Sequence, residues 1–132
     1  EPRLMPWLTV WENVVFGLSK KETDPGKIEA VIRMVGLSGF EKAYPAQLSG
    51  GMQQRTAIAR SLLYRPAVVL ADEPTGNLDR QNSRQIVELL KGSNRDLGQT
   101  IVIITHDERI ALEADRVVQI EDGRIVSDRR TV

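Results

Sequence analysis

The chain has 132 residues, of which 41% are hydrophobic and 27% charged, as is usual for a single globular domain. Eighteen Lys and Arg residues balance eighteen Asp and Glu residues, so the net charge gives no general attraction to nucleic acid or to an anionic membrane. The absence of cysteine excludes disulfides and thiolate metal sites. No apolar run approaches the roughly 20 residues that a membrane-spanning helix needs.

The first half of the chain carries the signals of short capped helices. Thr9 is a candidate N-cap for a helix over residues 10–18. Asp24, followed by Pro25 at the first helical position, predicts a second helix that ends at Gly36. One face of this helix is predicted to be buried through an apolar stripe of Ile28, Val31, Ile32 and Val35.

Residues 37–48 are predicted to be irregular, and Ser49 then marks the start of a third helix that extends to about Tyr64. Beyond it, two apolar strands at 67–71 and 100–105 lack alternation, as expected of parallel strands covered on both faces. Strands and helices alternate here, which predicts an α/β sheet. The remaining predicted elements are a helix over 80–97, a short helix from His106-Asp107 to Ala114, and strands 116–121 and 124–127 joined across Asp122-Gly123.

Residues 48–55 read LSGGMQQR and form the first segment that could carry chemistry. Ser49, Gly50 and Gly51 at a helix start would place free backbone N–H groups at the positive end of the helix dipole. Such a helix end can bind a phosphate-sized anion. On these three residues alone, a flexible loop before a capped helix is the favoured alternative.

Residues 68–73 read VVLADE and end in two adjacent acids. They would lie at the carboxyl edge of the sheet, where open α/β sheets bind their ligands. Because successive side chains of a strand point to opposite faces, Asp72 could hold Mg²⁺ while Glu73 orients or deprotonates an attacking water. The alternative is two solvated acids in a loop.

Two further segments follow these acids. GNLD at 76–79 is by itself a turn with Asp79 as N-cap of the next helix. His106 is the sole histidine and would share the sheet edge with the acids if the two strands are parallel neighbours. It could donate a hydrogen bond to a γ-phosphate oxygen or to water, although a lone histidine is more often structural. We do not expect zinc, because there is no cysteine and no second histidine.

Together these segments resemble the motifs of one family. LSGGMQQR is similar to the signature motif of ABC transporter ATPases, VVLADE to their Walker B strand with its catalytic glutamate, and GNLD to their D-loop. ITHD at 104–107 is similar to their H-loop, and residues 114–126 to their terminal hairpin. The chain thus resembles the nucleotide-binding subunit of ABC transporters over practically its whole length.

This resemblance implies an α/β fold: part of the parallel-sheet core of a P-loop NTPase (RecA-like), with an α-helical ABC subdomain. The whole of 1–132 would be a partial ABC ATPase domain. Residues of about 10–47, with the signature motif 48–55, would belong to the helical subdomain. Residues 66–132 would form the C-terminal part of the α/β core.

The resemblance also implies ATP hydrolysis with Mg²⁺ between two facing subunits. Each ATP would lie between the phosphate loop of one subunit and the signature motif of the other. Asp72 would hold the metal, and Glu73 and His106 would be catalytic. The remaining implied site residues are Ser49, Gly50, Gly51 and Gln53 on the ATP of the partner subunit, and Asp79 at the dimer interface.

The implied partners are a second ATPase subunit, identical or different, and a transmembrane permease, with a solute-binding protein as a further candidate and no nucleic acid. The location would be the cytoplasmic face of a bacterial cell membrane. The opening residues 1–14 resemble importers of nitrate, sulfonate or taurine, whereas ADEPTGNLD at 71–79 resembles lipoprotein-release and macrolide-export ATPases or methionine-type importers. We favour an importer-like subunit. The alternatives are a non-catalytic docking fragment and an ABC-type ATPase that works on DNA or ribosomes.

The phosphate-loop motif G-x-x-x-x-G-K-[ST] does not occur in the 132 residues, and the chain opens with Glu1 rather than Met. We read this as a truncated start that falls just after the glutamine preceding such an opening in the family. We expect the isolated chain to bind ATP weakly or not at all and to fold poorly, because half of the nucleotide pocket is missing. Nucleotide titration checks this, and Mg²⁺-dependent binding in the micromolar range would contradict it.

Overall fold

A computed structural model describes residues 4–131, so the first three residues of the opening segment lie outside the described part. The order of elements within this range is three helices, then strand, helix, strand and helix, then two strands. The helices are α1 (Val10–Val14), α2 (Pro25–Met34), α3 (Gly50–Leu63), α4 (Arg80–Leu97) and α5 (Glu108–Ala111). The strands are β1 (Val68–Asp72), β2 (Thr100–Ile104), β3 (Arg116–Glu121) and β4 (Arg124–Arg130), and one 3₁₀ turn spans Pro45–Gln47.

The predicted helix starts are confirmed by the capping contacts. The hydroxyl of Thr9 accepts a hydrogen bond from the backbone N–H of Glu12, whose carboxylate accepts one from the Thr9 N–H, each at 3.2 Å. This reciprocal pair is a capping box. The side chains of Asp24 and Ser49 likewise accept from first-turn N–H groups of α2 and α3.

Two helices end earlier than predicted. Helix α1 ends at Val14 instead of residue 18, because Gly17 has the left-handed φ of +89°, which an α-helix does not accommodate. Helix α5 ends at Ala111 instead of residue 114, and turns follow up to β3. The predicted end of α2 near Gly36 is confirmed, since Gly36 has a φ of +74° just beyond the helix.

The buried side chains form one continuous cluster in which α3 is central. Helices α1, α2 and α4 all pack on α3, and α4 also packs on β2. The helical first half is therefore a flank of the same core rather than a separate lobe. Members of this cluster from both halves include Val10, Val14, Ile28, Ile32, Leu62, Val69, Ile86 and Leu90.

Strands β1 and β2 are parallel neighbours, as the alternation of strands and helices predicted. Val68 pairs with Thr100 and Asp72 pairs with Ile104, with no shift between them. The connection runs through α4, which ends at Gly98 in the left-handed conformation. Because the pairing is in register, both strands end at the same edge.

The prediction that both faces of these strands are covered is wrong for the described residues. Val69 is buried on the helix-covered face, but Leu70 is 74% exposed and Ile104 57% exposed on the other face. Helices α3 and α4 cover one side, and no element within residues 4–131 covers the other. The apolar residues therefore form the sheet as predicted, but those on one face are exposed rather than buried.

Strands β3 and β4 form a separate antiparallel hairpin. The turn residues Asp122 and Gly123 both have positive φ, 49° and 74°, as the tight type I′ turn requires. Strand β4 continues to Arg130, beyond its predicted end at residue 127. An Arg116–Asp128 ion pair of 2.7 Å and the pairing of Arg116 with Arg130 support this extension.

Within residues 4–131, no helix combines the length and apolarity that a membrane crossing requires.

We predict that Leu90→Ala lowers the free energy of unfolding of the complete protein by about 2–5 kcal/mol, because it opens a cavity in the shared core. Leu112→Ala is the matched control, and we expect a change of no more than about 0.5 kcal/mol there because Leu112 is mostly exposed. Urea unfolding followed by circular dichroism measures both values. Equal losses in the two variants would contradict the assignment of the core.

Candidate active site

The candidate site lies at the edge where β1 and β2 end. Glu73 directly follows β1, and its backbone N–H donates to the carbonyl of Ile104 at 2.8 Å. His106 comes two residues after Ile104. The Nδ1 atom of His106 lies 2.8 Å from Oε1 of Glu73, so the structure brings these two predicted site residues into direct contact.

The backbone of Glu73 is held in an uncommon conformation. Its φ is +47°, in the left-handed region that non-glycine residues seldom adopt, at a cost of roughly 1–3 kcal/mol. Two hydrogen bonds fix it: the N–H donates to Ile104, and the carbonyl accepts from the N–H of Gly76 at 3.1 Å. Positions of this kind cluster at functional sites. Here the turn carries the carboxylate to the imidazole.

The contact changes the protonation of His106. The hydrogen bond to Glu73, and secondarily its negative charge, raise the pKa of His106 above its ordinary value of 6.5. The His106 side chain is 88% exposed and that of Glu73 38% exposed, so water and a ligand can reach both. An accessible imidazole–carboxylate pair can hold a proton and pass it to a bound group.

The loop that carries His106 is fixed on its other side by Asp107. The backbone N–H of Asp107 donates to the hydroxyl of Thr105 at 3.0 Å, and its carboxylate caps α5 by accepting from the Arg109 N–H. The Arg109 guanidinium also pairs with this carboxylate at 3.1 Å and lowers the pKa of Asp107. Thr105 was missed in the sequence analysis. The feature that could have indicated its role is a hydroxyl two residues before a helix cap, where it can accept a hydrogen bond from the backbone.

Asp72 shares the edge but not the cleft. It is exposed and lines a groove with Gln54 and Leu90, whereas Glu73 and His106 line a cleft between α4 and α5. The alternation of strand residues explains this divergence. The two adjacent acids therefore line two different depressions of the surface.

The donor set at Asp72 fits Mg²⁺ bound together with a nucleotide. Magnesium is usually held by one or two carboxylates plus phosphates and water, so a single exposed carboxylate suffices as the protein ligand. In the described part of the chain, no group of three or more His, Asp or Glu residues could hold a metal alone. These residues therefore suit a metal–phosphate complex rather than a protein-only metal site.

The signature segment presents an open helix start. Ser49 and Gly50 are exposed while Gly51 is buried, and the Ser49 hydroxyl accepts from the Met52 N–H at 3.2 Å. Gln53 turns inward, and its side-chain N–H donates to the Pro45 carbonyl at 2.9 Å. The structure gives Gln53 a bracing contact within the chain, and its contact with ATP stays a prediction.

Asp79 caps α4, as its sequence position predicted. Its carboxylate accepts from the backbone N–H of Asn82 at 2.7 Å and from the Asn82 side-chain amide at 3.0 Å. Sequence reasoning missed Asn82. The available signal was its position three residues after the cap, where a side chain can reach back to the cap residue.

Within the described residues, 49–51 line neither the cleft of Glu73 nor the groove of Asp72, although a Cβ on Gly50 would contact Leu78, which lines that cleft. The helix start therefore lies beside the cleft but outside its lining.

The fold with these two surfaces is that of an ATP-binding cassette, and solved structures bear this out. The dimeric ATP-binding cassette MJ0796, in a post-hydrolysis state bound to ADP and Pi, superposes with a TM-score of 0.81 at 35% identity, over 98% of this chain and 60% of that one. The sequence model described as ABC transporter matches residues 1–76, more than half of the chain. The chain belongs to the ABC transporter family, and its fold is the predicted P-loop NTPase type.

Two curated relatives show which kinds of transporter ATPase the chain is similar to. The lipoprotein-releasing system ATP-binding protein LolD of Bordetella pertussis is 45% identical over 129 residues, which are 95% of this chain and 56% of LolD. The macrolide export ATP-binding/permease protein MacB of Pasteurella multocida is 43% identical over 129 residues, 95% of this chain and 20% of MacB. The chain thus spans about half of LolD and less of MacB. Both relatives agree with the resemblance of residues 71–79 to lipoprotein-release and macrolide-export ATPases. Neither supports our preference for an importer-like subunit.

We predict that Glu73→Gln lowers the pKa of His106 towards its ordinary value, because the variant removes the carboxylate hydrogen bond and the negative charge beside the imidazole. In the wild-type chain the charged pair is present at pH values below the raised pKa of His106, which lies above 6.5, and is lost as the pH rises through that pKa. NMR titration of the imidazole ring measures the pKa of His106 in the wild-type chain and in the variant.

Glu108→Gln serves as the matched control, since Glu108 is a nearby exposed acid on α5 and we expect no change in the pKa of His106. Identical titration curves for the wild-type chain and Glu73→Gln would show that the contact does not persist in solution.

Proposed function

We propose that the complete protein is the ATP-hydrolysing subunit of an ABC transporter, and that this chain supplies the groups for hydrolysis and for closing the ATP site of a partner subunit. The observation that carries the proposal is the 2.8 Å contact between Glu73 and His106 at the carboxyl edge of two parallel strands. Ligands of open α/β sheets bind at this edge, and both groups are accessible there.

The roles of the two residues follow from their chemistry. Glu73 orients the attacking water and accepts its proton, while the water oxygen bonds to the γ-phosphorus and the bond to the β–γ bridging oxygen breaks. When His106 is protonated, its Nδ1–H donates to Glu73 and its Nε2–H can donate to a γ-phosphate oxygen. Asp72 would hold Mg²⁺, whose positive charge offsets the charge that develops on the phosphates.

The position of the signature segment supports the partner site. Ser49, Gly50 and Gly51 stand at the start of a 14-residue helix and do not line the cleft of Glu73 and His106. We therefore assign them to a γ-phosphate bound by a facing chain rather than to the phosphate at Glu73 of the same chain. The start of a helix is a suitable clamp for such a phosphate. Asp79, at the start of the next helix, would lie at the interface between the two chains.

The division of the chain into parts belongs to the same proposal. Residues of about 10–47, with the signature motif 48–55, form a helical subdomain that docks on a transmembrane permease at the cytoplasmic face of a bacterial membrane. Residues 66–132 form the C-terminal part of the α/β core. The similarity to LolD and MacB supports a link to a transporter, since one is the ATP-binding protein of a lipoprotein-releasing system and the other a macrolide export ATP-binding/permease protein.

We predict that Glu73→Gln in the complete protein lowers ATP turnover by at least about 10²-fold, because the water loses its proton acceptor. ATP-dependent dimers should nevertheless form and persist, since binding does not require that proton transfer. Phosphate release measures turnover, and light scattering with and without Mg²⁺–ATP measures dimers. Turnover equal to wild type would contradict the role of Glu73.

The control is Ser49→Arg in the same Glu73→Gln background. A long cation at the helix start would block the approach of the partner's nucleotide, so we expect the dimer to be lost while a single subunit still binds ATP. Dimers that form as readily as without the second substitution would count against the clamp formed by residues 49–51.

A further inference from the structure

The two glycines of the signature segment have different surroundings. A Cβ added to Gly51 would lie 2.5 Å from Oδ1 of Asn82, 2.9 Å from its Cγ and 3.3 Å from its Cβ. A Cβ added to Gly50 would meet Leu78 at an ordinary 3.6 Å. Gly50 is exposed and Gly51 buried, and the direction in which a Cβ of Gly51 would point leads into the chain.

The Asn82 side chain cannot move away from Gly51 without losing its own hydrogen bond. Its amide donates to Oδ2 of Asp79 at 3.0 Å while its backbone N–H donates to Oδ1 at 2.7 Å. Both carboxylate oxygens of Asp79 are therefore held by one residue. The opposite side of the same amide packs on Gly51.

We propose that Asn82 is a positioning residue that joins the start of the signature helix to Asp79. On the proposed function, on which this inference rests, Gly51 contacts the nucleotide of the partner and Asp79 lies at the subunit interface. The first turns of α3 and α4 then move as one body, because Asn82 contacts both. A change at Gly51 on nucleotide binding is passed to Asp79 through a single side chain.

The contact with Asn82 explains why position 51 is a glycine. Glycines at helix starts are commonly explained by close approach of a ligand to the backbone. At Gly51 a methyl group would instead displace the Asn82 amide, and with it the hydrogen bond to Asp79. The two explanations differ in what removal of the Asn82 side chain does.

The test is a double-mutant cycle in the complete protein, carried in the Glu73→Gln background so that dimers accumulate. We expect Gly51→Ala to raise the Mg²⁺–ATP concentration for half-maximal dimerisation by at least about tenfold. Asn82→Ala alone should cause a loss of similar size, because it removes the same link to Asp79, and adding it to Gly51→Ala should cause little further loss. Light scattering against ATP concentration measures each variant.

Gln85→Ala is the matched control, because it removes an exposed amide from the same helix and should leave dimerisation unchanged. If Asn82→Ala dimerises like its Glu73→Gln parent, or if the losses of Gly51→Ala and Asn82→Ala add in the double variant, the glycine serves the nucleotide alone and the proposal is overturned.

Asn82→Asp tests the link to Asp79 with almost no change in size. It replaces the donating amide by a carboxylate that repels the carboxylate of Asp79. With Glu73 intact, we expect kcat for ATP hydrolysis to fall by at least about threefold while KM changes little and the melting temperature stays near that of Gln85→Ala. An unchanged kcat would overturn the positioning role.

Failure of the proposed function is distinguishable from failure of this inference. If the wild-type protein neither hydrolyses ATP nor dimerises with it, the proposed function fails. The contact itself is then read from thermal unfolding, where Gly51→Ala should lower the melting temperature and Asn82→Ala should partly restore it. Additive effects of the two substitutions on that temperature would overturn the contact as well.

Discussion

The parallel pairing of β1 with β2 is the constraint on which the site depends. It brings together Glu73 and His106, which are 33 residues apart in the chain, because both follow strands that end in register. The last bond of the ladder, from the Glu73 N–H to the Ile104 carbonyl, also holds Glu73 in its left-handed conformation. A slip of the register would separate the carboxylate from the imidazole and abolish the shared proton.

Helix α3 connects this edge to the rest of the chain. Its buried side chains, among them Ile58 and Leu62, belong to the cluster that contains residues of the helical flank and of β1. The same helix begins with the signature residues. Because a close-packed core is stiff, displacement of the start of α3 strains the packing around both the helical flank and β1. The start of α3 and the helical flank are thus joined by packing rather than by a flexible linker.

Local signals predicted the parts of this structure that local physics decides. The caps at Thr9, Ser49 and Asp79 depend on residues within one turn, and all three follow from the sequence. The order of elements likewise predicted the parallel pair and the shared edge. What escaped prediction depends on distant contacts. The approach of Asn82 to Gly51 and the exposure of Leu70 are set by how helices and strands pack, which no spacing in the chain encodes.

The uncovered face of β1 and β2 has a practical consequence. Leu70, Ile104 and their neighbours form an apolar surface, and within the described residues each of the two strands has a partner on one side only. Free strand edges beside apolar side chains attract further strands, from the same molecule or from another. Handled alone, this chain is therefore prone to self-association, and shielding of those two strands would raise its solubility.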